Sequence, residues 1–368
     1  MTFTSNILFN TLAQYLGKAI SLVASILVTT ILARRMGTSG YGQYVYLLSL
    51  VMFINAFADW GSTFVATRHA SQHPDQRPTI YFTSLISRFM VSLVFQLGLI
   101  GFSLFLPQFK PILIPLVIAS LLLPLTSIKM SFQIVFQSRF QLWRLSLLDT
   151  IAGLSFLLFL YLFSHTTLAA LFLYLVVSST ISLLLGIYLL RPMPRPPIIF
   201  DTQFARYLFT QSLSMGALLT VYTIYNRVDI FILKYFHGDS AVGIYGLSYK
   251  VYDSLLLGAG YLANATFPLL SSRTSNLPLF RQAFEKYLAT LIVLSLAASI
   301  SLFLFAPFII HFLAGPEFAP ATTPLRLLAL SLFVAYLGHS TGYSLTALGR
   351  QITSLKIALL ALVINVGL

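Results

Sequence analysis

The chain alternates long apolar stretches with short polar ones from end to end. Eleven stretches carry few charges, roughly 6–33, 42–66, 80–106, 112–138, 145–164, 168–190, 206–236, 242–270, 284–314, 323–348 and 353–368. A helix needs about 20 mostly apolar residues to cross some 30 Å of hydrocarbon. The pattern therefore predicts an all-α polytopic membrane protein with eleven spanning helices. Most connections are short. The longest, Arg191 to Arg206, is Pro-rich and basic and reads as a semi-rigid linker. No loop is long enough to fold as a separate soluble domain.

A repeat divides the pattern in two. Leu32, Gly37, Ser39, Gly42 and Tyr44 follow the first stretch, and Leu233, Gly238, Ser240, Gly243 and Tyr245 follow the seventh, each pair 201 residues apart (233 − 32). Both copies fall in the outer turn between the first two helices of a half. Glycine supplies a positive φ there, and Tyr anchors the next helix at the interface. Six helices per half send both halves into the membrane from the same side, which gives two parallel six-helix bundles. The expected domains are residues 1–190, a cytoplasmic linker 191–205, and a second bundle 206–368. By the same offset the second bundle stops after five helices, so the chain reads as a piece of a protein with at least twelve.

Charge sets the orientation. Loops after even-numbered stretches hold twelve cations (Arg68, Arg77, Arg139, Arg144, Arg191, Arg195, Arg206, Arg273, Arg281, Lys286, Arg350 and Lys356). Loops after odd-numbered ones hold four: Arg34, Arg35, Lys110 and Lys234. The positive-inside rule then makes the even loops and the N-terminus cytoplasmic. The first residues lack a basic n-region and a small-residue cleavage site, and read as part of the first helix. Only 8% of residues are charged and 58% are apolar, against about a quarter charged in soluble domains. A soluble enzyme is excluded. The formal charge of +13 comes from singly scattered residues rather than a stripe, which fits an anionic cargo and not nucleic acid. With no cysteine, disulfides, thiolate metal sites and thiol catalysis are excluded.

Charges inside spanning helices cost about 2.5–3.5 kcal/mol each on insertion scales and point to function. Setting aside Arg206, Lys234, Glu285, Lys286 and Lys356 near the stretch ends, ten lie within the stretches: Lys18, Asp59, Arg88, Lys129, Asp149, Arg227, Asp229, Lys250, Asp253 and Arg326. Lys18 falls near the midplane, and Arg88 some 12 Å from the cytoplasmic side at ~1.5 Å per residue. Lys18, Arg88, Arg227 and Lys250 are the candidate cavity cations. Asp59, Asp229 and Asp253 are the candidate gating or coupling carboxylates, Asp59 at an inner gate with Arg68 nearby. Lys250 and Asp253 share a helix face, whereas Arg227 and Asp229 do not. Two interhelical pairings stay open, Arg227 with Asp253 or Asp229 with Lys250. Lys129, Asp149 and Arg326 read as interfacial, and the lone His339 as structural. Pro115, Pro124, Pro268 and Pro307 are candidate kinks. No phosphate-cradling Gly loop with a Lys is present, so no ATPase is expected.

The sequence resembles the polysaccharide-biosynthesis flippases that move lipid-linked oligosaccharides in bacteria. The resemblance rests on Ala33-Arg34, Gly37, Gly40, Tyr41, Gly42 and Tyr44, then Asp59 and Gly61. In the second half it continues with Asn226-Arg227, Asp229, Val242-Gly243 and Tyr245, and ends with Ala347, Gly349 and Arg350. It implies the multidrug/oligosaccharidyl-lipid/polysaccharide (MOP) exporter superfamily, with two bundles in a V that open to either side by turns. The implied substrate is an undecaprenyl-diphosphate-linked oligosaccharide, moved from the inner to the outer leaflet of a bacterial cell membrane for O-antigen, capsule or exopolysaccharide. A polysaccharide polymerase and a chain-length regulator are the implied partners. No cofactor or metal is expected, and the coupling ion would be Na⁺ or H⁺. The alternative is an ion-coupled multidrug or metabolite exporter. Six intramembrane cations against four acids lean towards an anionic cargo. A membrane glycosyltransferase or polymerase would need acidic outer loops, and only Asp239 and Glu317 fall there.

Overall fold

The computed structural model describes residues 3–139, 141–164, 167–191, 200–348, 350, 353, 356, 357 and 359–361, and among these no residue is in a strand. Ten α-helices follow in order: α1 Phe3–Asp59, α2 Ser62–Gln72, α3 Arg77–Phe105, α4 Leu113–Ser120, α5 Leu122–Ser138, α6 Leu142–Leu162, α7 Leu168–Leu190, α8 Thr202–Ser271, α9 Leu277–Ala314 and α10 Thr322–Ala347. Seven helical stretches among the described residues are long and apolar enough to cross a membrane. Most of the predicted linker and of the last predicted segment, 353–368, lies outside the described residues, as does Gly349.

Two of these helices are far too long for one crossing. α1 has 57 residues and α8 has 70, against the roughly 20 that a bilayer requires. Each holds two of the predicted segments and breaks at one glycine, Gly37 (φ 65°, ψ −175°) and Gly238 (φ 76°, ψ −168°). These are equivalent glycines of the repeat. The expected turn is thus a single residue in a conformation that a Cβ disfavours.

Elsewhere the apolar runs conceal breaks. The second predicted segment, 42–66, ends as a helix at Asp59, and both Trp60 (φ 44°) and Gly61 (φ 73°) have positive φ before α2 begins. The fourth, 112–138, becomes α4 and α5, parted at Leu121. Pro124 lacks the N–H that would bond the Ser120 carbonyl, so the ladder lapses there. α9 starts earlier than predicted because Asn276 caps it, accepting from the Leu279 amide at 3.2 Å.

The described chain clusters into two compact units, one of residues Met1–Val28 and Leu47–Arg227, the other of Thr29–Tyr46 and Val228–Leu368. The sequence division at 191–205 does not follow this grouping. Residues 29–46, around the Gly37 break, belong with the second unit, and the part of α8 up to Arg227 with the first.

Within the first unit, α3 and α2 pack on α5, and α6 packs on α7. The contacts run through small polar residues. Ser84, Ser92, Ser120, Ser131 and Ser182 are fully buried, and Ser182 Oγ donates to the Leu148 carbonyl across the α6–α7 contact at 2.8 Å. In hydrocarbon, greasy side chains gain nothing by leaving lipid. Close packing of small residues and interhelical hydrogen bonds hold helices together instead.

In the second unit the two copies of the repeat bond to one another. Thr38 accepts from Ser240 Oγ (2.8 Å), and Gln43 Nε2 donates to Asp239 (3.3 Å). The Thr38 amide donates to Glu317 (2.7 Å). Arg34 reaches the last carbonyls of α9, at Phe312 (2.5 Å) and Leu313 (3.1 Å), where a cation is favoured. Gly42 and Gly243 lie at the crossing. A Cβ on Gly42 would strike the Asp239 carbonyl, and one on Gly243 the Thr38 carbonyl.

Gly243→Ala is expected to cost about 1–3 kcal/mol through overpacking. In thermal unfolding of the detergent-solubilised protein it lowers the melting temperature clearly more than Gly98→Ala, whose added methyl meets no neighbour. Equal effects would contradict the close crossing.

Candidate functional site

The helix break at Trp60–Gly61 builds the site. An aromatic residue at φ 44° stores roughly 1–3 kcal/mol of backbone strain, and the surroundings hold it there. The Trp60 indole rests on Gly216 of α8, where an added Cβ would come within 2.7 Å of three ring atoms. It also stacks on Phe57, with ring centroids 6.5 Å apart. Because the helix stops at Asp59, its carboxylate lies at the head of α2. There it accepts from Ser62 Oγ (3.3 Å) and Thr63 Oγ1 (2.7 Å).

Asp59 also holds Arg88 of α3, at 2.6 Å from Nη2 to Oδ1. Arg88 Nη1 donates in addition to Thr63 Oγ1. The guanidinium is 3% exposed and the carboxylate 21%. Asp59 and Arg88, assigned separate roles from sequence, form one buried ion pair. Desolvating so buried a charge requires a counter-charge, and Asp59 supplies it.

The start of α8 completes the enclosure. Asp201 caps it, accepting from the amides of Gln203 and Phe204 at 2.9 Å each. Phe204 and Leu208 sit in a core with Ala66 and Ala70 of α2, Ile80 of α3 and Ile134 of α5. His69, whose pKa is lowered by burial and by nearby His73, packs on Phe204 and Tyr207, at 5.1 and 5.0 Å.

Between α1, α2, α3 and α8 a cavity of about 330 Å³ opens beside the ion pair. Its polar wall is Asp59, Ser62, Ser87, Arg88 and Ser212, and its apolar wall includes Phe57, Trp60, Phe95 and Phe209. Three atoms of the polar residues, Ser87 Oγ, Arg88 Nε and Ser212 Oγ, are buried without a hydrogen-bond partner among the described residues. Such orphans cost about 1–3 kcal/mol each, and here three belong to residues around one hollow.

None of the other candidates lines this cavity. Lys18 is half-buried on α1, one residue from Gly17, whose carbonyl accepts from Thr150 Oγ1 of α6 at 3.0 Å. Arg227 donates to the Met52 thioether at 3.9 Å. Asp229 accepts from the Tyr245 hydroxyl at 2.5 Å, so the repeat's tyrosine serves a carboxylate rather than only an interface. Lys250 and Asp253 are both half-buried on α8. Sequence reading missed the pairing of Lys129 with Asp149, and of Lys234 with Asp239. It also missed Trp60, Ser87 and Ser212, and only the spacing of Arg88, Val91 and Phe95 along one helix face carried a signal for the cavity. No cluster of three or more metal-ligating side chains occurs among the described residues.

The structure is similar to an inward-facing MATE-family multidrug transporter of the MOP superfamily (TM-score 0.73, 12% identity, 94% of this chain and 87% of that one). It is equally similar to the lipid II flippase MurJ in an inward closed conformation (0.73, 13%, 95% and 78%). It also resembles a MOP-superfamily transporter from Pyrococcus furiosus (0.66, 12%, 96% and 84%). This is therefore a multi-pass membrane protein with the transporter fold of the MOP superfamily. Its residues 3–274 match the family described as polysaccharide biosynthesis protein, and the chain belongs to that family. Residues 215–368 also match the MatE family. No curated protein matches the sequence.

Breaking a buried pair costs about 3–5 kcal/mol because one charge stays behind unpaired. Asp59→Asn, which strands the more deeply buried Arg88, is expected to lower the melting temperature more than Arg88→Gln. The double variant should recover part of the loss. Strictly additive losses would show that the two residues do not act as a pair.

Proposed function

We propose that this protein moves a polyprenyl-diphosphate-linked oligosaccharide from the cytoplasmic to the outer leaflet of a bacterial inner membrane by alternating access, without chemical change to its cargo. The observation that carries this reading is a buried arginine beside a cavity in a chain of the polysaccharide-biosynthesis family. A diphosphate bearing sugars cannot cross hydrocarbon unaided, since each bare charge at depth costs several kcal/mol. A guanidinium already desolvated by the protein offers a planar set of donors for phosphate oxygens. The loop cations put the N-terminus in the cytoplasm and the Asp59–Arg88 pair in the cytoplasmic half of the membrane. The cargo's head group would be received there while its polyprenyl tail stays in lipid.

In this reading Asp229 and Asp253, with Lys18, Arg227 and Lys250, belong to the parts that respond as the two bundles change which side they open. A Na⁺ or H⁺ gradient, or the membrane potential, supplies the energy. A polymerase and a chain-length regulator receive the exported units. The match of residues 215–368 to the MatE family favours a second reading, ion-coupled export of a multidrug or metabolite cargo.

Deleting the gene is expected to strand lipid-linked repeat units on the cytoplasmic face and to deplete surface polysaccharide. Arg88→Gln, at normal protein abundance, should fail to restore it. Normal surface polysaccharide in the deletion strain would contradict the proposal, and altered drug resistance alone would favour the second reading.

A further inference from the structure

Three arginines gather where α5 ends, α6 begins and α7 ends. Arg139 caps the end of α5, Arg144 lies in the first turn of α6, and Arg191 follows the last residue of α7. Arg144 Nη1 donates to the Leu189 carbonyl of α7 at 2.8 Å, which ties the end of α7 to the start of α6. The Arg144 guanidinium lies 5.6 Å from the ring centroids of both Phe136 and Trp143, and that of Arg191 lies 5.4 Å from Tyr188. Arg139 and Arg144 are close enough for their charges to repel. None of the three takes part in an ion pair among the described residues. Arg139 Nε and Arg144 Nε are buried without an acceptor there, and Gln141 Oε1, between them in sequence, is buried without a donor.

A cation near the last carbonyls of a helix is favoured, which accounts for Arg144 at Leu189. It does not account for Arg139, whose side chain gains no hydrogen bond or ion pair among the described residues and lies near a like charge. Elsewhere the chain supplies the opposite charge itself, as Asp149 for Lys129 and Asp239 for Lys234. At this end of the first unit the compensating charge is left to an outside molecule. The adjoining surface indicates which kind. On α7, Val177, Ile181, Leu184 and Tyr188 fall at i, i+4, i+7 and i+11, and Arg191 at i+14, so they share one helix face. All five are exposed, Leu184 and Tyr188 by 60% each. On a spanning helix such a stripe meets acyl chains, and its aromatic and basic end lies at head-group level.

We infer that this end of the first unit binds an anionic phospholipid of the surrounding bilayer, a resident lipid and not a transported one. Its phosphate lies among Arg139, Arg144 and Arg191, and one acyl chain follows the α7 stripe. Basic pockets between spanning helices take acidic head groups in this way. A head group with a free hydroxyl, as in phosphatidylglycerol, also offers Gln141 a donor. The bound lipid relieves the repulsion between two arginines and joins three helix ends. It therefore stabilises the folded protein whether or not the cargo proposed above is carried.

The test uses the delipidated full chain in dodecyl maltoside and follows its melting temperature against added phosphatidylglycerol, phosphatidylcholine or glycerol 3-phosphate. A ligand bound only by the folded state raises that temperature with concentration. Phosphatidylglycerol should raise it. Phosphatidylcholine has the chains without net charge, glycerol 3-phosphate has the phosphate without chains, and neither should act at the same concentration. The double variant Arg139→Gln/Arg191→Gln should weaken apparent affinity for phosphatidylglycerol at least about ten-fold. Neither side chain makes a hydrogen bond or ion pair among the described residues, so its fold is retained. Arg273→Gln/Arg281→Gln, the same loss of charge in the second unit, should leave the affinity unchanged. Phosphatidylcholine as effective as phosphatidylglycerol would overturn the inference. Glycerol 3-phosphate as effective would replace the lipid with a free anion and overturn it too. So would an Arg139/Arg191 variant that binds no more weakly than the Arg273/Arg281 one, because the attraction would then be diffuse.

Discussion

In hydrocarbon a polar group has no water to turn to, and every feature of this protein answers to that constraint. Backbone groups are met by making nearly every described residue helical. The helices associate through serines whose hydroxyls bond carbonyls of their own turn or of a neighbour, as Ser182 does at Leu148 and Ser248 at Ala321. Three of its departures from helix, at Gly37, Gly61 and Gly238, use a glycine at positive φ. Where it buries a charge deeply, it supplies the opposite one. The Asp59–Arg88 pair is the most enclosed case, and the orphaned Arg88 Nε beside it is the point at which the protein's own answer is incomplete.

That incompleteness connects structure to function. A fully satisfied ion pair would be a structural clamp. Here the strained Trp60–Gly61 break, the close Trp60–Gly216 contact and the capped start of α8 hold a hollow open next to a guanidinium with a donor to spare. The strain is maintained by surrounding packing, as expected where a conformation serves a ligand rather than the fold. In the second unit the two copies of the repeat meet at Gly42 and Gly243, so sequence symmetry becomes a physical contact.

The spanning helices and the paired glycines of the repeat were legible in the sequence, because hydropathy and a constant offset of 201 residues (233 − 32) are one-dimensional signals; the exporter-superfamily fold was legible only through the family resemblance. The breaks at Leu121 and Trp60 were not, since both sit inside uninterrupted apolar runs. The partner of Arg88 was hidden for another reason. Asp59 and Arg88 are 29 positions apart (88 − 59) on different helices, and only helix packing brings them to 2.6 Å. Tyr245, read as an interfacial anchor, is a donor to Asp229, because a phenol near a carboxylate is indistinguishable in sequence from one near a head group. Serines were overlooked because in a hydropathy profile they only dilute an apolar run.

The central claim is that a desolvated arginine lets an anionic lipid head group be carried through this protein. Its most direct test is reconstitution into liposomes loaded on one leaflet with a polyprenyl-diphosphate-linked oligosaccharide, scored by how much sugar becomes accessible to a glycan-cleaving enzyme on the other side. Protein-dependent appearance of cleavable sugar, lost in Arg88→Gln and partly retained in Arg88→Lys, is the predicted result. Movement no faster than in protein-free vesicles, or movement indifferent to the residue at position 88, would contradict it.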